Sequence, residues 1–160
     1  MTNSADPKDP AERGARVRIP PPLVFLAAIA GGAFLPGLRL SWPWAARAAV
    51  GALFIAGGLS LGLGAVKLFR KTGQDPKPWK PSPELIFDGP YQHTRNPMYV
   101  GMVLFTLAAA AISLRGWIAL LAPVALLVVH YTAVLREEQY LAEKFGEPYL
   151  AYKAKVRRYF

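Results

Sequence analysis

The chain alternates between long apolar runs and polar connections. Four runs, near residues 20–38, 48–69, 97–113 and 117–135, are almost free of charged side chains. Each approaches the roughly 20 residues that a helix needs to cross the hydrocarbon core of a bilayer. Only helices and closed barrels satisfy their backbone polar groups in that setting. The pattern therefore predicts an all-α integral membrane protein with about four transmembrane helices.

The polar segments divide the rest of the chain. The polar composition of residues 1–18 predicts a disordered cytoplasmic tail. Residues 19–160 are predicted to form a single membrane domain. Within that domain, residues 70–96 form a proline-rich loop in which Leu85, Ile86 and Phe87 favour an ordered structure. Residues 136–160 predict a cap on the membrane surface that ends in an amphipathic helix.

Charge sets the predicted orientation and removes some function classes. Lysine and arginine concentrate in the tail, the long loop and the cap, whereas the other connections hold only Arg39, Arg47 and Arg115. The positive-inside rule then places both termini and the loop in the cytoplasm, and the Ala/Gly/Arg-rich composition favours a bacterial inner membrane. The net charge of +9 belongs to segments that flank apolar runs, so no nucleic-acid partner is expected.

Residues 89–101 carry the densest group of candidate functional side chains. Asn96 suits an N-cap and Pro97 a first helical residue, so Arg95 stands at a helix start that already favours an anion. We expect this turn to hold a charged cofactor at the membrane surface. Alternatives remain for each residue alone: a snorkelling cation for Arg95, interfacial tyrosines for Tyr91 and Tyr99, and a packing notch for Gly101. The chain has no cysteine and two histidines, which argues against a metal cluster or a thiolate nucleophile.

A second candidate group lies at the end of the fourth run. His130 is an ionisable residue inside a predicted span, and such residues tend to face the protein interior. Glu137 is seven residues later, which predicts that both lie on one helical face. The alternative for His130 is a purely structural role. The alternative for Glu137 and Glu138 is a helix end exposed to solvent.

Three motifs in this order resemble a known family. Gly89-Pro90-Tyr91…Arg95-Asn96-Pro97-Met98-Tyr99-Val100-Gly101 resembles the Gly-x-Tyr…Arg-His-Pro-x-Tyr-x-Gly signature of isoprenylcysteine carboxyl methyltransferases and the related phospholipid methyltransferases. Glu137-Glu138 resembles their acidic pair, and Phe145-Gly146-Glu147-Pro148-Tyr149 begins a stretch similar to their C-terminal ending. The resemblance covers residues 80–158, about half the chain.

The resemblance implies methyl transfer from S-adenosylmethionine to a lipophilic substrate from the bilayer. Asn96 stands where the family often has histidine, and Ala133 aligns with the substrate-holding arginine of the prenylcysteine enzymes, three residues before Arg136. The catalytic candidates are Arg136, which is near that aligned position, and Glu138 or His130, either of which could accept a proton if the acceptor is an amine. The implied cofactor-binding residues are Glu84, Leu85, Ile86, Tyr91, Arg95, Asn96, Pro97, Met98, Tyr99, Gly101 and Glu137.

The family leaves the acceptor open. An isoprenylcysteine-like carboxylate is the first expectation and the amine of a phospholipid the alternative. An NADPH-dependent membrane reductase and a non-catalytic scaffold are the alternatives from other classes. Membrane lipids are the only other partners expected, and the oligomeric state stays open.

Overall fold

The computed structural model describes residues 14–159 except residues 16, 74, 76, 78 and 79. Within these residues the elements are helical and no β-strand occurs, which confirms the predicted all-α class. The helices are α1 (Pro21–Phe34), α2 (Trp44–Lys71), α3 (Pro97–Ser113), α4 (Gly116–Val129), α5 (Leu135–Phe145) and α6 (Glu147–Lys155).

Two helical stretches are long and apolar enough to cross a membrane. They are Trp44–Lys71, with a mean hydropathy of 2.0, and Gly116–Phe145, with a mean hydropathy of 2.3. Helices α1 and α3 are apolar but shorter. Only 17% of the most apolar part of α2 is buried within the protein, and Leu53 on this helix is 70% exposed. Such a surface is matched by a bilayer and not by water.

Local sequence explains where these helices begin and end. Helix α1 stops at Phe34, four residues earlier than the predicted span, because Leu35 precedes Pro36 and takes an extended conformation. Helix α3 begins at Pro97 and ends at Ser113, the bounds that the apolar pattern predicted.

Helix α3 lies between α2 and α4, and α1 packs against α4. Small residues bring these helices close together. A Cβ atom on Gly101 of α3 would lie 3.1 Å from the carbonyl oxygen of Gly58 on α2. One on Gly32 of α1 would lie 2.7 Å from the backbone nitrogen of Ile118 on α4. The backbones themselves are therefore in contact at both crossings.

Replacing Gly32 with alanine is expected to destabilise the protein by about 1–3 kcal/mol, because the new methyl group meets the backbone nitrogen and Cα of Ile118 as well as its Cγ1, and the backbone atoms cannot move aside. Gly62→Ala is the matched control, since a Cβ atom added at Gly62 would have no atom within 4 Å and alanine favours a helix. The measurement is thermal unfolding in detergent micelles. Equal midpoints for the two variants would contradict the close α1–α4 contact.

The N-terminal tail is partly buried near its end. Gly14, Ala15 and Val17 are buried, and the last two belong to the core cluster with Phe25 of α1 and Tyr99 of α3. These positions pack against the helices, whereas the disorder expected of residues 1–18 stays a prediction. Residues 1–13 and 16 lie outside the described residues.

Helices α4 and α5 form one continuous rod through a π-helical turn at His130–Val134. The rod continues past the acidic pair to Phe145, so Glu137 and Glu138 lie in the first turn of α5 and not at a helix end. Gly146, with a φ of 58°, then redirects the chain into α6. These two breaks in α-helical geometry decide which side chains face the site.

Candidate functional site

Two adjoining cavities lie beside the 3₁₀ turn Gly89–Gln92. They are enclosed by the last turns of α2, the first turn of α3 and the first turns of α5. Their volumes are about 120 Å³ and about 80 Å³. The two cavities are neighbours, because they have several lining residues in common. The shared residues are Phe69, Ser82, Tyr91, Arg95, Asn96, Glu137 and Leu141.

Arg95 and Glu138 form the charged floor of this site. The Arg95 side chain is 9% exposed and that of Glu138 is 7% exposed. Arg95 Nη1 forms an ion pair with Glu138 Oε1 at 3.0 Å, and among the described residues neither Nε nor Nη1 of Arg95, both buried, has a hydrogen-bond acceptor. Buried donors of this kind are uncommon, and they mark a place where a ligand can supply the missing acceptor.

Glu138 also fixes the C-terminal segment (residues 156–159). Arg158 donates from Nε to Oε1 at 2.7 Å and from Nη2 to Oε2 at 2.8 Å, a bidentate pair. This hydrogen-bonded carboxylate raises the pKa of the Arg158 guanidinium. Lys153 Nζ, on the more exposed side, lies 3.6 Å from Oε2. A carboxylate held by several cations binds protons poorly, so these contacts favour a positioning role for Glu138.

Backbone contacts attach the same segment to the turn before α3. The Arg95 amide donates to the carbonyl oxygen of Arg157 at 3.0 Å, and Thr94 Oγ1 donates to that of Arg158 at 3.0 Å. Asn96 occupies the N-cap position, but its side chain does not cap α3. It donates instead from Nδ2 to the carbonyl oxygen of Arg158 at 3.0 Å, which corrects the predicted capping role.

Glu137 precedes Glu138 in the first turn of α5 and lines both cavities, whereas Glu138 lines only the smaller one. The Tyr99 hydroxyl of α3 donates a short hydrogen bond to Glu137 Oε1. This bond ties the end of the α4–α5 rod to the first turn of α3. It also leaves Oε2 of Glu137 available to a ligand.

Tyrosines enclose the rest of the site. Burial is the main cause of a raised pKa of the Tyr91 hydroxyl, and the nearby charge of Glu137 raises this pKa further. Burial, followed by the Glu138 charge, raises the pKa of Tyr149 to about 12, although a hydrogen bond with Arg95 opposes the shift. Tyr152 donates its hydroxyl to the carbonyl oxygen of Tyr91 at 2.7 Å. The phenols of the site are therefore neutral near pH 7.

The residues predicted for cofactor binding fall into three cavity-lining groups, apart from Gly101. Those that line both cavities are Tyr91, Arg95, Asn96 and Glu137. Pro97, Met98 and Tyr99 line the larger cavity. Glu84, Leu85 and Ile86, from the long loop, line the smaller one. Gly101 faces Gly58 of α2 and is not among the residues that line either cavity.

Two of the predicted catalytic candidates lie elsewhere. Arg136 is exposed and lines neither cavity. His130 lies in a separate groove, where its Nδ1 is 2.9 Å from the Tyr159 hydroxyl. The prediction that His130 and Glu137 share one helical face is wrong, because the π-helical turn between them changes the register.

Sequence reasoning missed several residues of the site. Arg158 was not identified, although it lies at the end of the C-terminal stretch whose spacing matched the family. Tyr140 was also missed. It lines the larger cavity and accepts a hydrogen bond from the Ser82 amide at 3.0 Å, which holds the long loop against α5. The available signal was an aromatic residue within the charged stretch 136–144.

The finished site presents an arginine with unbonded N–H groups at one side and a carboxylate at the other, between aromatic rings. This arrangement suits a ligand that carries both an anionic and a cationic or hydroxyl-bearing part. A family model described as phospholipid methyltransferase matches residues 46–148. The match includes the turn before α3 and the acidic pair. No curated protein shows significant similarity to the chain.

Proposed function

Because the chain belongs to the phospholipid methyltransferase family, and so to a superfamily of membrane methyltransferases, we propose that it transfers a methyl group from S-adenosylmethionine to a lipophilic acceptor drawn from the bilayer. The observation that carries this proposal is the pair of unbonded nitrogens on buried Arg95, which lines both cavities. An anionic group of the cofactor would satisfy them.

The residues present fit that cofactor. Its carboxylate matches Arg95, whose guanidinium can bind carboxylates bidentately and is already oriented by Glu138. Its ammonium group or ribose hydroxyls match Oε2 of Glu137. A sulfonium is a cation that favours an aromatic face, and Tyr91 provides one between the two charged residues.

When bound, S-adenosylmethionine supplies a methyl group that its positive sulfur has already activated. The protein's contribution is then mainly orientation and exclusion of water. Glu138, Arg158 and Asn96 hold the C-terminal segment against the turn that carries Arg95. Tyr99 and Glu137 fix the approach of α5 to α3.

The acceptor reaches this site from the membrane. Ala133, at the position where prenylcysteine enzymes hold the substrate carboxylate with arginine, is 0% exposed and lies within the π-helical turn. A phospholipid headgroup therefore suits this chain better than a prenylcysteine carboxylate, in agreement with the family description.

In the proposed arrangement four helical segments cross the membrane. Two are the longer apolar stretches, and the other two are the shorter helices α1 and α3. Helix α1 exposes Leu23 and Leu26, and α4 exposes Leu120 and Leu127, as surfaces in contact with lipid would. The concentration of lysine and arginine near the site supports, by the positive-inside rule, a proposed arrangement in which the site and both termini face the cytoplasm. The membrane proposed for the protein is a bacterial inner membrane.

Calorimetric titration of S-adenosylmethionine into the detergent-purified protein tests the cofactor assignment. We expect saturable binding by the wild type and at least about tenfold weaker binding by Glu137→Gln, which keeps the side-chain shape but removes the charge. Glu143→Gln is the control, because Glu143 is exposed on the same helix and lines neither cavity.

Titration with NADPH separates this function from a reductase. If the folded wild-type protein binds NADPH but does not bind S-adenosylmethionine, the result would favour a reductase. Binding of neither would favour a scaffold that has kept only the shape of the family.

A further inference from the structure

A groove outside the cofactor cavities runs along α4 and its π-helical turn. Its volume is about 260 Å³, and its walls are mostly apolar. Pro123 and Leu127 are exposed on its α4 side, and Tyr131 is 62% exposed at its rim. In a helix that crosses the bilayer, such a groove opens towards lipid.

One polar pair interrupts this apolar surface. His130 Nδ1 lies 2.9 Å from the hydroxyl of Tyr159, which belongs to the C-terminal segment. Among the described residues Nε2 of His130 has no hydrogen-bond partner. The second ring nitrogen of this imidazole is therefore the atom that could form a hydrogen bond with a ligand in the groove.

The pair is close to the cofactor cavities. Burial raises the pKa of Tyr159, Arg158 opposes this shift, and the carboxylates of Glu138 and Glu137 add to it. Tyr159 therefore lies within electrostatic range of both acids. Along the rod the order is apolar wall, then His130 and Tyr159, then Glu137, with about 10 Å of helix rise between His130 and Glu137.

We infer that this groove binds a phospholipid, with the phosphodiester accepting a hydrogen bond from His130 Nε2 and an acyl chain lying along Pro123 and Leu127. In this arrangement the Tyr159 hydroxyl donates to Nδ1, which keeps the proton on Nε2. The groove therefore offers an apolar wall to an acyl chain and a hydrogen-bond donor to the phosphate.

Charge favours the same occupant. The C-terminal segment and the end of α6 are rich in cations, including Lys153, Lys155, Arg157 and Arg158. A phosphodiester is a permanent anion, and a neutral imidazole with a proton on Nε2 donates to it, as does an imidazolium. The identification of this phospholipid as the methyl acceptor rests on the proposed function, whereas the presence of the lipid in the groove does not.

Solid-state NMR on the protein in phosphatidylethanolamine vesicles tests the site without S-adenosylmethionine. The chain has two histidines, so the His93→Asn variant labelled with ¹⁵N-histidine reports on His130 alone. We expect dipolar dephasing of Nε2 by lipid ³¹P and the chemical shift of a protonated nitrogen. Absence of dephasing in folded protein would overturn the inference.

Matched variants show whether the pair or the groove alone is responsible. Tyr159→Phe and Tyr131→Phe each remove one phenol hydroxyl from the lining, but only the first breaks the bond to His130. We expect the ³¹P dephasing to be lost in Tyr159→Phe and kept in Tyr131→Phe. Equal loss or equal retention in both variants would contradict the assigned role of Tyr159.

Two further measurements exclude other ligands and link the site to turnover. In lipid-free detergent, dephasing by inorganic phosphate would identify a general anion site and overturn the assignment to lipid. In a methylation assay, Tyr159→Phe should raise KM for phospholipid about tenfold while the Kd for S-adenosylmethionine changes less than twofold. A methylation assay without turnover, alongside positive dephasing, would count against the proposed function and not against the lipid site.

Discussion

Replacing Glu138 with glutamine is expected to lower both the stability of the protein and its affinity for S-adenosylmethionine. Glu138 is 5% exposed and is the common partner of Arg95 and Arg158. Removing its charge leaves the buried Arg95 guanidinium without its anionic partner, and breaking a buried pair in this way costs about 3–5 kcal/mol. Arg158, whose side chain is 32% exposed, adds less because water can solvate it. Lys153 contributes little to this total, because its side chain is 41% exposed.

Thermal unfolding and calorimetry on the same samples measure both effects. A loss of about 3 kcal/mol corresponds to a fall in the unfolding midpoint of roughly 6–12 °C. Glu147→Gln is the control, since Glu147 is exposed in the first turn of α6 and its removal should cost at most about 1 kcal/mol. A Glu138→Gln variant with the midpoint and affinity of the wild type would show that this cluster does not hold the C-terminal segment.

Replacing Arg95 with lysine is expected to weaken binding of S-adenosylmethionine about 10–100-fold, although the charge is kept. A lysine ammonium cannot reproduce the planar fork that a guanidinium offers to a carboxylate. Arg157→Lys is the control, because the described contact of Arg157 with the site uses its backbone carbonyl and its side chain is exposed.

A double-mutant cycle separates direct contact from an indirect effect. Wild type and Arg95→Lys are each titrated with S-adenosylmethionine and with its decarboxylated analogue. If Arg95 binds the carboxylate, the substitution should weaken the first ligand far more than the second. Equal weakening of both ligands would mean that Arg95 acts through Glu138 on the shape of the cavity.

Features that depend on neighbouring residues in sequence could be predicted. Helix α3 has the bounds expected from its apolar run because Pro97 and the change in polarity near Ser113 are local signals. The helix class, the separation of polar and apolar segments, and the location of Arg95 and Tyr91 around one cavity also followed from such signals. For the same reason the family motif in this turn was visible in the sequence.

Features that depend on three-dimensional register could not be predicted. The pair of Glu138 and Arg158 joins residues 20 apart across a helix break at Gly146, and no periodicity links them. The burial of Ala15 and Val17 depends on a core that α1, α3 and α4 build together. The Asn96 side chain matched an N-cap in sequence, yet a carbonyl oxygen from the C-terminal segment binds it instead.

The π-helical turn at His130–Val134 also bears on how this site could have arisen. Such a turn holds one residue more than an α-helical turn, so it is what a single inserted residue leaves in a helix. Deleting that residue would rotate α5 by about 100° relative to α4 and turn Glu137 away from Tyr99. Insertion of a single codon into an uninterrupted helix would thus be enough to produce the present geometry.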